Sequence, residues 1–117
     1  MTEESDDDKY KCKVENTIQF LGKKHMLRLI ALFMENEKAC RYSVIKKELK
    51  INSKTLTDRL VELNEAGLIE RRSFNTIPPR VEYCLSEVGE KLRPIIQELE
   101  NFEIKYVRKE EIVEKAN

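Results

Sequence analysis

Five residues in one short stretch of the chain, Ser53, Lys54, Thr55, Thr57 and Arg59, are of the types that grip phosphate oxygens and read base edges. Hydroxyls are compact donors and acceptors, and Lys and Arg bring the positive charge that a phosphate backbone attracts. With Leu56, Leu60 and Leu63 turned inward on a helix of about 100° per residue, Lys54 and Asp58 point almost directly outward, flanked by Thr55 and Thr57. Lys54 also stands at the helix start, where free backbone N–H groups favour an anion. Arg59 lies farther round and suits a backbone grip. Asp58 would repel phosphate unless it accepts from a cytosine amino group or pairs with Arg59, so its part stays open. The plain alternative for the whole face is a solvated helix surface.

Three more residues extend this constellation. Asn75 and Arg80 flank the tip of an expected strand pair and could enter a neighbouring minor groove or meet phosphates. For Arg80, pairing with Glu82 or Glu70 on the same hairpin is an equal alternative. Arg41, just before another short helix, is a further backbone-clamp candidate, with a similar ion pair as its alternative. Nothing points to catalysis: His25 is the one histidine, no glycine-rich loop could cradle a phosphate, and no nucleophile and base share a useful spacing. Cys12, Cys40 and Cys84 are an odd set without metal-ligand spacing, which argues against a disulfide framework or a zinc site. No metal, cofactor or enzymatic activity is expected, and His25, Cys40 and Cys84 read as packing residues.

Several elements must hold these groups in place. Val14, Ile18 and Leu21 recur at helical spacing before Gly22, giving a short first helix. Met26, Leu29, Ile30 and Phe33 step by i, i+3, i+4 and i+7, predicting a mostly buried helix from about Lys24 to Met34. Ser43 can cap a third helix carrying Val44, Ile45 and Leu49. The brief Lys50-Ile51-Asn52 connection follows, and Ser53 can cap a fourth helix over about 54–66. Ala66-Gly67-Leu68 ends that helix with a left-handed glycine, letting Leu68 reach Leu63. The alternation of residues 69–85 around Pro78 and Pro79 predicts a hairpin with a stiff tip. Ser86 then caps a long last helix whose Leu92, Ile95, Leu99, Phe102 and Tyr106 step by 3, 4, 3 and 4, with Pro94 as a place for a kink.

Two helices joined by a tight turn and followed by a hairpin spell a mainly α (α+β) winged helix-turn-helix with a two-stranded β wing and a long C-terminal dimerisation helix. The 3,4 seam exceeds what one small domain needs to cover itself, so a homodimer is expected. Two-fold symmetry would set two recognition helices about 34 Å apart on one face of DNA, at an inverted-repeat operator.

The chain has 117 residues, enough for one domain, and 38% of them are charged. Its formal net charge of zero hides an asymmetry. Residues 1–8 carry −5, residues 9–60 hold 13 basic against 5 acidic side chains, and residues 61–117 come to −3. The excess of basic charge coincides with the expected DNA-contacting half. Residues 1–8 read as a disordered acidic tail, 9–108 as the domain with both dimerisation helices, and 109–117 as a frayed charged tail. No export signal and no apolar run of about 18 residues is visible, so no membrane association and a cytoplasmic location are expected.

From about Cys12 to Phe102 the sequence resembles the HxlR family of winged-helix transcription regulators. The matching blocks are Cys12 with Val14, Gly22-Lys23-Lys24, Arg41-Tyr42, Ser53 to Leu60, Glu65 to Arg71, Pro79-Arg80-Val81-Glu82-Tyr83, Leu85 with Gly89, and Leu92 with Pro94. The resemblance implies a dimeric regulator of double-stranded DNA. Its first and last helices, including Val14 and Ile18, form the dimer, while Lys54, Thr55, Thr57, Arg59 and the wing near Arg80 touch DNA. The chain departs from the family pattern at His25 or Met26, where a tryptophan is usual, at Tyr42 for a phenylalanine, at Lys13 for a proline and at Phe102 for a tryptophan. In some relatives the N-terminal cysteine senses oxidants or electrophiles. Cys12, set between Lys11 and Lys13, is accordingly a candidate redox sensor, with an ordinary half-buried thiol as the alternative. A small-molecule or redox effector is left open. The competing reading of the fold is a protein-interaction module without DNA binding, which an apolar outward face on the fourth helix would have favoured.

Overall fold

The computed structural model describes residues 12–108. The stretches 1–8 and 109–117, and Lys11, lie outside the described residues. Helix α1 (Glu15–Leu21) ends at Gly22, whose N–H donates to Ile18 O at 2.8 Å. Of its apolar face only Leu21 is buried, while Val14 and Ile18 are exposed. Helix α2 (Met26–Glu35) starts two residues later than its apolar period suggests, because His25 adopts a left-handed φ of 67° and turns the chain. Met26, Leu29, Ile30 and Phe33 are all buried, as their spacing requires.

Cys40–Arg41 form a short strand β1, an element that no alternation in the sequence announces. Helix α3 (Tyr42–Leu49) follows directly, with extended Arg41 rather than Ser43 at its N-cap and no side-chain cap bond. Arg28 ties α2 to the end of α3 by donating to Leu49 O at 3.2 Å. Lys50 takes a left-handed φ of 54°, and buried Ile51 anchors the turn into helix α4 (Ser53–Glu65). The cap of α4 is Asn52, not Ser53: its Oδ1 accepts from Thr55 N at 2.9 Å. Gly67, at φ 77°, ends the helix as expected. Gly67 N–H reaches Asn64 O at 3.0 Å and Leu68 N–H reaches Leu63 O at 2.9 Å, the two bonds that close a left-handed helix end.

Strands β2 (Ile69–Phe74) and β3 (Arg80–Leu85) form the expected wing hairpin, paired from Ile69 opposite Leu85 to Phe74 opposite Arg80. β1 adds to the other side of β3, with Cys40 opposite Tyr83 and Arg41 opposite Glu82, giving an antiparallel sheet of order β1-β3-β2. Ser86 Oγ accepts from Gly89 N at 3.0 Å, but it caps only the short α5 (Glu87–Glu90). The expected long helix is interrupted at Lys91. It resumes as α6 (Leu92–Phe102) and passes into a π-helical turn, Glu103–Val107. Pro94 sits in the first turn of α6, where its missing N–H has no helical acceptor to lose, so it starts the helix rather than kinking it. Arg93 locks α6 to α2 by donating to Met34 O at 2.9 Å.

The core gathers Leu21, the α2 stripe, Ile45 and Leu49, the α4 leucines, Ile69, Leu92 and Ile96. Leu92 was expected in the dimer seam. It is buried within the monomer instead, because on α6 it shares a face with Ile96, which packs into this core, while Ile95 and Leu99 stay exposed.

Candidate nucleic-acid interface

Leu56, Leu60 and Leu63 of α4 are at most 2% exposed, so the helix is clamped along one side and its other side is free. Ser53, Lys54 and Thr57 are exposed there, Asp58 is half-exposed, and Thr55 is half-buried. Lys54 Nζ meets Asp58 Oδ2 at 3.3 Å, an exposed i, i+4 pair worth only a few tenths of a kcal/mol, about 0.3–0.5. Asp58 therefore partners Lys54 rather than Arg59. Such a pair holds the lysine along the helix without withdrawing it from an incoming phosphate.

Arg59 does not stand where its expected backbone grip requires. Its side chain is 17% exposed and bonds through Nη1 to Glu62, which also receives Lys23 Nζ at 2.9 Å. The Lys23 hydrogen bond, then the bond and charges from Arg59 and Lys23, outweigh burial and hold the Glu62 carboxyl below its usual range. This cluster fastens α4 to the corner before α2. Five residues separate Arg59 from Lys54, roughly 140° around the helix, and Glu62, at i+3 from Arg59 on the flank of α4, takes its guanidinium.

The two other arginines meet at one carboxylate. Glu82 lies between Arg80, 3.0 Å away through Nε, and Arg41, 3.9 Å away. The Arg80 guanidinium also stacks over the Phe74 ring at 4.3 Å from its centroid. Its Nε–H points off the line to Glu82 and has no hydrogen-bond acceptor among the described residues. Both alternatives weighed from sequence thus resolve toward Glu82, but Arg80 keeps donors to spare. Asn75 is exposed at the wing tip. Between the tip and α3 runs an open cleft of about 650 Å³, bordered by Arg41, Tyr42, Thr76, Pro79 and Arg80.

Sequence reasoning missed Asn52 at the helix cap, the sharing of Glu82 by Arg41 as well as Arg80, and Tyr42, whose hydroxyl lies 3.2 Å from Thr57 Oγ1. Asn52 had a local signal, since Asn before a helix is as good a cap as Ser. The other two depend on strand register and helix crossing. Elsewhere, burial pushes the Cys40 thiol up, with the nearby Cys84 and Glu82 adding to the effect, and Sγ donates to Lys38 O at 3.7 Å, which suits a packing residue. Desolvation first, then the charges of Arg28, Lys24 and Arg59, hold the His25 pKa below its ordinary value. No group of three metal-ligating side chains occurs among the described residues.

A turn-linked helix pair with its second helix exposed on the polar side, followed by a β wing, defines a winged helix-turn-helix transcription regulator. The model of the HxlR-like helix-turn-helix family matches residues 20–111, and the chain belongs to that family. An uncharacterized HTH-type transcriptional regulator of Methanothermobacter thermautotrophicus is 37% identical over 94 residues, 80% of this chain and 70% of that protein. The HTH-type transcriptional regulator YkvN of Bacillus subtilis is 38% identical over 92 residues, 78% of this chain and 76% of the relative. Among solved structures, the reduced form of the transcriptional regulator YodB from B. subtilis is similar, with a TM-score of 0.73, 28% identity, and coverage of 82% of this chain and 94% of that one. These relatives are regulators of transcription, not enzymes.

Proposed function

We propose that the chain acts as a homodimer in the cytoplasm, binding an inverted-repeat operator in double-stranded DNA and regulating transcription by occupying it. α4 enters the major groove with Ser53, Lys54, Thr55 and Thr57. The wing, with Asn75 and Arg80, and Arg41 beside it, lie on the flanking backbone or minor groove. The observation that carries this reading is the free hydrophilic side of α4, anchored beneath by three buried leucines and uncovered by any other described part of the chain. An apolar outward face would have supported a docking module; apart from Val61 toward the helix end, the exposed side chains on this face are hydroxyls and charges.

Dimerisation is supported by a second surface. Val14, Ile18, Ile95, Leu99, Phe102 and Tyr106 remain between 46% and 60% exposed on α1, α6 and the π-helical turn, and so much open apolar surface on neighbouring helices suits a partner subunit. Cys12 is exposed beside this face, its carbonyl accepting from Glu15 N at 3.0 Å at the start of α1. A change at its thiol would fall next to the dimer seam, which keeps it the candidate for redox sensing.

Mobility shifts with duplexes flanking the chain's own gene, repeated across a salt series, test the reading. A specific complex should weaken steeply as salt rises, and Lys54→Ala should weaken it by roughly ten-fold while reducing the salt slope by about 1. A chain that forms no salt-sensitive, sequence-dependent complex would refute it.

A further inference from the structure

Tyr42 opens α3 with its ring packed against the core, and its hydroxyl emerges beside the outward face of α4. That hydroxyl has one proton and two neighbours, Ser53 O at 3.3 Å and Thr57 Oγ1 at 3.2 Å. Both distances are long for hydroxyl bonds, as suits one group shared between two partners. A carbonyl oxygen can only accept, whereas either hydroxyl can donate to the other; the arrangement that satisfies all three groups puts the Tyr42 proton on Ser53 O and has Tyr42 Oη accept the Thr57 proton. Thr57 then presents lone pairs alone to the space in front of α4.

An oxygen restricted to accepting is repelled by phosphate oxygens, which also only accept. In the major groove it is equally ill matched to guanine O6 and N7 and to thymine O4. Its partners are the exocyclic amino groups of cytosine and adenine. We propose that Tyr42 is a specificity-determining residue: by holding the Thr57 proton, it makes Thr57 an acceptor that selects cytosine or adenine and not a phosphate contact. The inference rests on α4 being the DNA-reading helix. It narrows the roles open to Thr57, since a freely rotating threonine hydroxyl could serve a phosphate or any base.

The test is selection of bound duplexes from a randomised double-stranded DNA pool by the full chain, its Tyr42→Phe variant and its Thr57→Val variant, with competition titrations on the enriched motifs. In the wild type, one position per half-site should prefer A or C over G or T, on the strand facing α4, by roughly ten-fold or more. Tyr42→Phe frees the Thr57 hydroxyl to donate or accept and should cut that preference by about five-fold. Thr57→Val should abolish it at the same position, and neither change should alter the salt slope of binding. A Tyr42→Phe variant with a lowered Tm but an unchanged motif would show the hydroxyl to be structural only and overturn the proposal. A shallower salt slope in Thr57→Val would reveal a phosphate contact and overturn it as well. If the wild type enriches no sequence at all, the DNA-binding reading itself fails, a result distinct from an intact motif that ignores Tyr42.

Discussion

Two glycines separate what a residue does locally from what its neighbours impose. At Gly67 a Cβ would meet no other atom within 4 Å, but the backbone stands at φ 77°, where L side chains are strained. At Gly89 the backbone is an ordinary helical one, yet a Cβ would fall 2.0 Å from Leu68 O and 3.1 Å from Leu85 Cδ2. Gly67→Ala should therefore cost about 1 kcal/mol, and Gly89→Ala more, about 2–3 kcal/mol, because α5 must back away from the end of α4 and the wing. Urea unfolding of both variants measures the order, and equal losses would mean that the Gly89 contact relaxes freely. The first position was legible in the run Ala66-Gly67-Leu68. The second was not, since the clash spans 21 residues of chain between Leu68 and Gly89. The arginines divide similarly: their types marked all three as candidates, but only strand register brought Glu82 to Arg41 and Arg80, and only helix rotation gave Arg59 to Glu62.

Elements were more legible than their ends. The periods of α2 and α4 follow from burial of one stripe, which the pattern of apolar residues states directly. The start of α4 depends on which of two adjacent good capping residues bends back. Asn52 does so, its Oδ1 satisfying the Thr55 N–H, and Ser53 is left with its hydroxyl on the open face. Asn52→Ala should lower stability by about 1 kcal/mol, whereas Ser53→Ala should change it by less than about 0.5 kcal/mol. Denaturant midpoints decide between them, and a larger loss from Ser53→Ala would restore it as the cap. The last helix shows the opposite weakness. Its 3,4 spacing runs on from residue 92 without a break in sequence, yet the face of α6 with Leu92 and Ile96 docks on the core while Ile95 and Leu99 stay exposed, which divides one expected seam between the core and the surface.

At the scale of the molecule this division becomes testable. Leu99, on the exposed seam, and Leu92, in the core, carry the same side chain with opposite duties. Leu99→Glu should leave the fold intact, halve the mass seen by sedimentation and sharply weaken binding to a full inverted repeat, while Leu92→Ala should cost about 2–4 kcal/mol of stability. A Leu99→Glu chain that still sediments as a dimer would place the subunit contact elsewhere. The sequence alone determined the first four helices and the wing hairpin in order, the apolar stripes, the glycine stop after α4 and the group of hydroxyls and bases on its far side, because each is set by neighbours within a turn or two of chain. Only the tertiary structure decided the third strand, the arginine partners, the burial of Leu92 and the Tyr42 hydroxyl beside Thr57. Those are contacts between segments distant in sequence, chosen by helix crossing and strand register, and no local period encodes them.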